Sequence, residues 1–158
     1  MIDLLKSPFY INHANRLIES YKLLTGNDLF PVTNNDGETD YSNIDKIQAA
    51  SFVLLSHGLG PDPLFNYANP KALNLFEISW DDLLKMPSRL STETINQTKR
   101  ESLLNTVNRQ GYIDNYSGIR ISAKGQRFMI NQAVVWNVID AQGKYYGQAA
   151  MFKEWDFL

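Results

Sequence analysis

The sequence predicts an α+β domain: a five-stranded antiparallel sheet with short helices on one face and a helical extension at the N-terminus. Three observations predict it. Residues 112–158 read as three long strands joined by two glycine-bearing turns. Two short apolar runs bounded by Gly, Pro and Asn precede them, and capped helical segments fill the space between. A chain of 158 residues, 44% hydrophobic and 20% charged, suffices for one compact core.

Tyr10, Ala14, Leu17, Ile18, Tyr21 and Leu24 recur at helical spacing, so Pro8 to Leu24 predicts an amphipathic helix. Ser7 caps it, Pro8 suits its first position, and Gly26 supplies a left-handed stop. Residues 27–42 collect Asn, Asp, Gly, Pro and Thr and read as a loop, with Leu29, Phe30 and Val32 as anchors. Charge shifts there: residues 1–42 carry three basic and six acidic side chains, residues 43–158 twelve and eleven. We therefore divide the chain into an N-terminal helix and loop (1–42) and a main body (43–158), parts of one unit.

A short helix from Asn43 to Ala50 leads into a buried strand, Phe52 to Ser56, and a second strand, Leu64 to Ala68. Asn69 followed by Pro70 caps the next helix, with Ala72, Leu73, Leu75 and Phe76 as its apolar positions. Ser79 with Asp82 opens another, which Pro87 ends. A longer helix is expected from Thr92 to Gln110, with Ile95, Leu103, Leu104 and Val107 inward and Gly111 as its stop.

Tyr112 to Ser122, Arg127 to Asp140 and Lys144 to Trp155 form the meander. Strict alternation along the middle strand puts Phe128, Ile130, Gln132, Val134, Trp136 and Val138 on one face. The other face is half apolar too. Such a face needs a cover, and the N-terminal helix is the one available.

Composition excludes several chemistries. With no Cys there is no disulfide, thiolate nucleophile or Cys-ligated metal. Two histidines, His13 and His57, without H-x-x-x-H or H-E-x-x-H spacing, leave no metal motif, and we expect neither a metal nor a catalytic site. A formal charge of −2 offers no basic field to nucleic acid or membranes. Without a signal-like N-terminus or a long apolar run, the chain is expected in the cytoplasm.

The run Phe65-Asn66-Tyr67-Ala68-Asn69-Pro70-Lys71-Ala72-Leu73-Asn74-Leu75-Phe76, then Ser79-Trp80-Asp81-Asp82-Leu83-Leu84, resembles the second strand and first helices of a PAS domain. Ser56-His57-Gly58, Asp62 to Asn69, Pro87-Ser88-Arg89-Leu90, Tyr116 to Ile121, Val135-Trp136-Asn137 and Gly147 to Ala150 narrow this to a resemblance to the MEKHLA domain family over residues 10–156. The family is found alone in bacteria and algae and at the C-terminus of plant class III homeodomain–leucine-zipper transcription factors. The resemblance implies a PAS-like fold and a sensory or regulatory role, with no assigned reaction or ligand. We expect no DNA-binding segment, so the plant proteins' role is not expected to carry over. A stand-alone module must signal through a partner, which the sequence does not identify, or through its own assembly, here expected as a homodimer.

PAS cavities lie between the inner sheet face and the long helix. Haem is disfavoured, because that helix contains no His, and a covalent flavin adduct is excluded by the absence of Cys. The candidate ligand residues are Tyr67, Trp80, Arg89, Arg120, Gln132, Trp136, Gln148 and His57. His57, ending a strand, either faces a cavity and titrates near neutrality or holds the following loop through backbone. Arg89 can hold an anion bidentately or pair with Asp81, Asp82 or Glu93. Arg120 and Arg127 are expected as cross-strand neighbours that attract an anion or simply solubilise an edge. Gln132 and Gln148 are amides among apolar residues and need partners. Tyr67, Trp80 and Trp136 line a wall or fill the core.

These residues predict a non-catalytic module that binds a small molecule or a protein partner. The alternatives are a small α+β enzyme doing acid/base chemistry on an apolar substrate, or a ligand-free adaptor. A strongly displaced pKa at His57 or Asp114 would favour the enzyme.

Overall fold

The computed structural model describes residues 3–31, 42–93 and 96–158. After a 3-10 turn (Leu4–Lys6) come helix α1 (Pro8–Thr25), helix α2 (Asn43–Ala49) and strands β1 (Val53–His57) and β2 (Phe65–Ala68). Helices α3 (Pro70–Phe76) and α4 (Trp80–Leu83), a 3-10 turn (Ser88–Ser91) and α5 (Gln97–Gln110) lead to β3 (Tyr112–Ile121), β4 (Arg127–Ile139), β5 (Tyr145–Phe152) and β6 (Glu154–Phe157).

The helix ends form where the capping chemistry predicts. The Ser7 hydroxyl accepts from the Tyr10 amide with Pro8 in the first turn, and Gly26 closes α1 in the left-handed region. Asn69 and Ser79 cap α3 and α4. The long helix is shorter than expected: Thr92 is extended and the helix starts at Gln97. Ile95, Val32 and the middle of the 27–42 loop lie outside the described residues.

All strand pairs are antiparallel, in the order β2-β1-β5-β4-β3. The last strand breaks at Lys153, so β5 pairs with the second half of β4 and β6 with the first half. Leu103 and Val107 of α5 pack on Val135 and Ala150 from one side. From the other, α1 covers β4: Trp136 Nε1 donates to Ser20 Oγ at 3.0 Å, and the Tyr21 ring stands edge-on to the indole. Helix α1 thus covers one face of β4, but the residue it covers, Trp136, is one that strict alternation put on the other face, and Val135 of the expected second face lies under α5.

Strict alternation along β4 fails at Gln132. This residue adopts φ 52°, and the register with β3 shifts there. One extra residue in a strand inverts the facing of everything after it. Phe128 and Ile130 therefore share the α5 side with Val135, while Trp136 turns to α1. Gln132 is exposed, so its expected place on the apolar wall is corrected.

Candidate functional site

The inner face of the sheet, the Ser88–Ser91 turn and α5 line a cavity of about 70 Å³. Its walls are mostly apolar, supplied by Leu55, Phe76, Leu103, Ile130, Val135 and Phe152. A larger and more polar cleft of about 330 Å³ adjoins it, bordered by the 58–63 loop and α5. His57, Ser88, Arg100, Leu104 and Gln148 border both spaces. This mainly polar cluster therefore forms the partition between an apolar cavity and a more polar cleft.

Its four polar members are each delivered by a different element. His57 ends β1 opposite Gln148 of β5. That approach depends on Gly147, whose φ is 137° and where a Cβ would collide with the His57 carbonyl oxygen. His57 Nδ1 and Ser88 Oγ lie 2.8 Å apart, and Arg100 Nη2 donates to the same hydroxyl at 2.6 Å. The Gln148 amide donates to the Leu104 carbonyl, Asn108 Oδ1 and Asn137 Oδ1 at 3.2 to 3.3 Å.

Burial lowers the His57 pKa to about 4, the Arg100 charge adds to the effect, and Gln148 opposes it. The imidazole is thus neutral at pH 7, which corrects the expectation of titration near neutrality. Its recorded hydrogen-bond partner is a side-chain hydroxyl, so the expected backbone bond to the following loop is corrected too. Arg100 is only 8% exposed. Desolvation, then the neighbouring Arg120 charge, lower its pKa to about 10, with Tyr116, Glu101 and Asp62 opposing. It still carries its charge at neutral pH.

Of the eight residues singled out from sequence, the structure brings His57, Arg120 and Gln148 together at the cavity. Arg89 stands at the rim of the outer cleft and pairs with Asp62 at 3.0 Å, not with Asp81, Asp82 or Glu93. Glu93 pairs instead with Arg127. Arg120 and Arg127 are not direct cross-strand partners, since Arg120 stands opposite Phe128 and Arg127 opposite Ile121. Tyr67, Trp80 and Trp136 do not line the cavity. Tyr67 and Trp80 form an aromatic cluster with Tyr10 of α1, and Trp136 lies beneath Ser20 and Tyr21. Gln132 points to water.

Sequence reasoning missed Ser88 and Arg100. The second had a legible signal: Arg100 precedes Leu103 and Val107 by three and seven residues, which places a cation on the buried stripe of α5. Among the described residues no group of three His, Cys, Asp or Glu could hold a metal. Nor is any described helix long and apolar enough to cross a membrane.

Comparisons with solved structures agree with this architecture. A PAS domain from Colwellia psychrerythraea superposes with a TM-score of 0.58 at 11% identity, over 71% of this chain and 90% of that one. The light-state dimer of the fungal blue-light photoreceptor Vivid gives 0.56 at 16% identity, over 87% and 93%. Likeness at these identities shows the fold, which is that of a PAS domain. In sequence, the chain is 26% identical over 158 residues to the homeobox-leucine zipper protein ATHB-14 of Arabidopsis thaliana, and 26% over 154 residues to HOX9 of Oryza sativa subsp. japonica. These matches cover 96% and 92% of this chain but 18% and 17% of the relatives, so the chain spans under a fifth of their length. The MEKHLA domain model matches residues 11–157. Matched over nearly its whole length, the chain belongs to the MEKHLA domain family.

Proposed function

We propose that this protein is a non-catalytic sensory module that binds a small molecule between the sheet and α5 and passes the bound state to a partner. The observation that supports it most is the polar partition of His57, Ser88, Arg100 and Gln148, set by four elements against an apolar cavity. A few convergent polar groups at an apolar pocket are the usual makings of a ligand site. The interior is small. About 70 Å³ is under half of the roughly 150 Å³ that houses benzene in a dry engineered cavity, so the buried part of the ligand is compact.

The displaced pKa of His57 does not favour an enzyme. It moves away from neutrality, and the Nδ1 atom is engaged by Ser88. A proton shuttle near pH 7 needs a group poised near that pH. Asp114 is exposed on β3, remote from the cavity lining.

Mass spectrometry of small molecules released by denaturing the natively purified protein tests the binding half. One compound released in stoichiometric amount is expected. A ligand-free chain whose melting temperature no small molecule raises would make the protein an adaptor. A second copy of the chain is the proposed first partner. Phe9, Ile11 and Leu23 of α1 stay exposed. Native mass spectrometry of the full chain at micromolar concentration should show a dimer, and a monomer there would refute that half.

A further inference from the structure

We propose that the site takes a short aliphatic monocarboxylate, its carboxylate on Arg100 and its chain in the apolar cavity behind. This rests on the ligand-binding reading above and adds the chemical class.

Arg100 is a buried cation that no anion of the described residues neutralises. Among the described residues it takes part in no ion pair; those present join Lys6, Lys22, Arg89 and Arg127 to acids. Of its five N–H donors, one is satisfied by a recorded hydrogen bond, to Ser88 Oγ. Its acidic neighbours Glu101 and Asp62 lie beyond ion-pair range, and Asp62 is already held by Arg89. The guanidinium of Arg120 adds repulsion rather than relief; it donates to the Ile119 carbonyl and leans on the Tyr116 ring.

A guanidinium cannot shed its proton to escape such a place. Burying it unpaired opposes folding, and an apolar residue on the same helical stripe would pack at lower cost. The arrangement makes physical sense when an anion completes it. A carboxylate matches the planar fork with two parallel hydrogen bonds. Neutral His57 and Gln148 beside it can contribute dipoles but no charge, and the second cation of the lining, Arg120, is already engaged by the Ile119 carbonyl and Tyr116, which leaves one guanidinium for one carboxylate. Behind the head the surface is Phe76, Leu103, Ile130 and Val135, which suits an alkyl chain and not a hydrated dianion. The small cavity volume suits a short chain.

The test is calorimetric titration of the full chain with butyrate, butyramide, 1-butanol, octanoate and inorganic phosphate, repeated on Arg100→Met and Arg100→Lys. Butyrate should bind saturably and at least about tenfold more tightly than each of the others. Arg100→Met should melt at or above the wild-type temperature yet bind butyrate at least about tenfold more weakly. Arg100→Lys, which keeps the charge and loses the fork, should fall between and serves if the Met variant does not fold. Equal binding of butyramide or butanol would overturn the carboxylate while leaving the cavity reading intact. Equal binding of phosphate would overturn the role of the alkyl chain. Undiminished butyrate binding by both variants, or no binding of any probe, would overturn the proposal outright. A neutral compound released from the native protein would do the same and still support the wider reading.

Discussion

Asn69 spends every hydrogen-bonding atom of its side chain on backbone. Its Oδ1 accepts from the Ala72 and Leu54 amides at 3.0 and 3.2 Å, while Nδ2 donates to the Phe52 and Ile47 carbonyls at 2.9 and 3.2 Å. One fully buried amide thus caps α3 and ties it to β1 and the end of α2. Helix-cap chemistry made the first of these bonds readable in the sequence; the other three needed the fold. Replacing Asn69 by Ala would remove a cap and strand three more buried backbone groups. Asn69→Ala should therefore cost about 3 kcal/mol, above the roughly 1 kcal/mol of an isolated cap, as read from urea unfolding. A loss no greater than that of an isolated cap would mean that the other bonds contribute nothing net.

At the scale of elements, helix ends, hairpin turns and the α1 stripe were legible because each depends on neighbours close in sequence. Pairing across long separations was not, and β4 shows why. Its alternation is correct at Phe128 and Ile130 and inverted at Trp136, because a bulge at Gln132 consumes one residue. The same polar residue that looked like a ligand contact within an apolar wall is polar because it is the bulge and faces water. Likewise His57, Arg120 and Gln148, singled out from the sequence, border the cavity, whereas Arg100 was passed over among the many charges of α5. Gln132 holds a left-handed backbone that costs most side chains roughly 1 kcal/mol and glycine almost nothing. Gln132→Gly should accordingly leave stability unchanged or raise it by up to about 1 kcal/mol, with ligand binding untouched. Weakened binding in that variant would return Gln132 to the site.

The molecule as a whole is a sheet between helical layers, and β1 has a buried imidazole on each side of it. His13, reaching from α1, meets Ser56 Oγ at 2.9 Å, and His57 meets Ser88 Oγ on the cavity side. Burial first, then the charge of Arg16 or Arg100 respectively, lowers both pKa values from 6.5 to about 4. Between those limits the unfolded chain takes up protons that the folded one refuses, so acid favours unfolding. The contribution to stability is complete above pH 6.5, declines as the pH falls, and stops declining below about pH 4, where the folded state is protonated too. Each histidine accounts for on the order of 3 kcal/mol over that window, and a typical domain has only about 5 to 15 kcal/mol in total. The urea midpoint should therefore hold steady from pH 8 to about 6.5 and collapse toward pH 4.5. His13→Gln should remove roughly half of that slope, because the two imidazoles lie on opposite faces and titrate independently. A midpoint that stays flat between pH 6.5 and 4.5 would mean that water reaches both rings in the folded protein, and the two helical layers would then be looser than their packing implies.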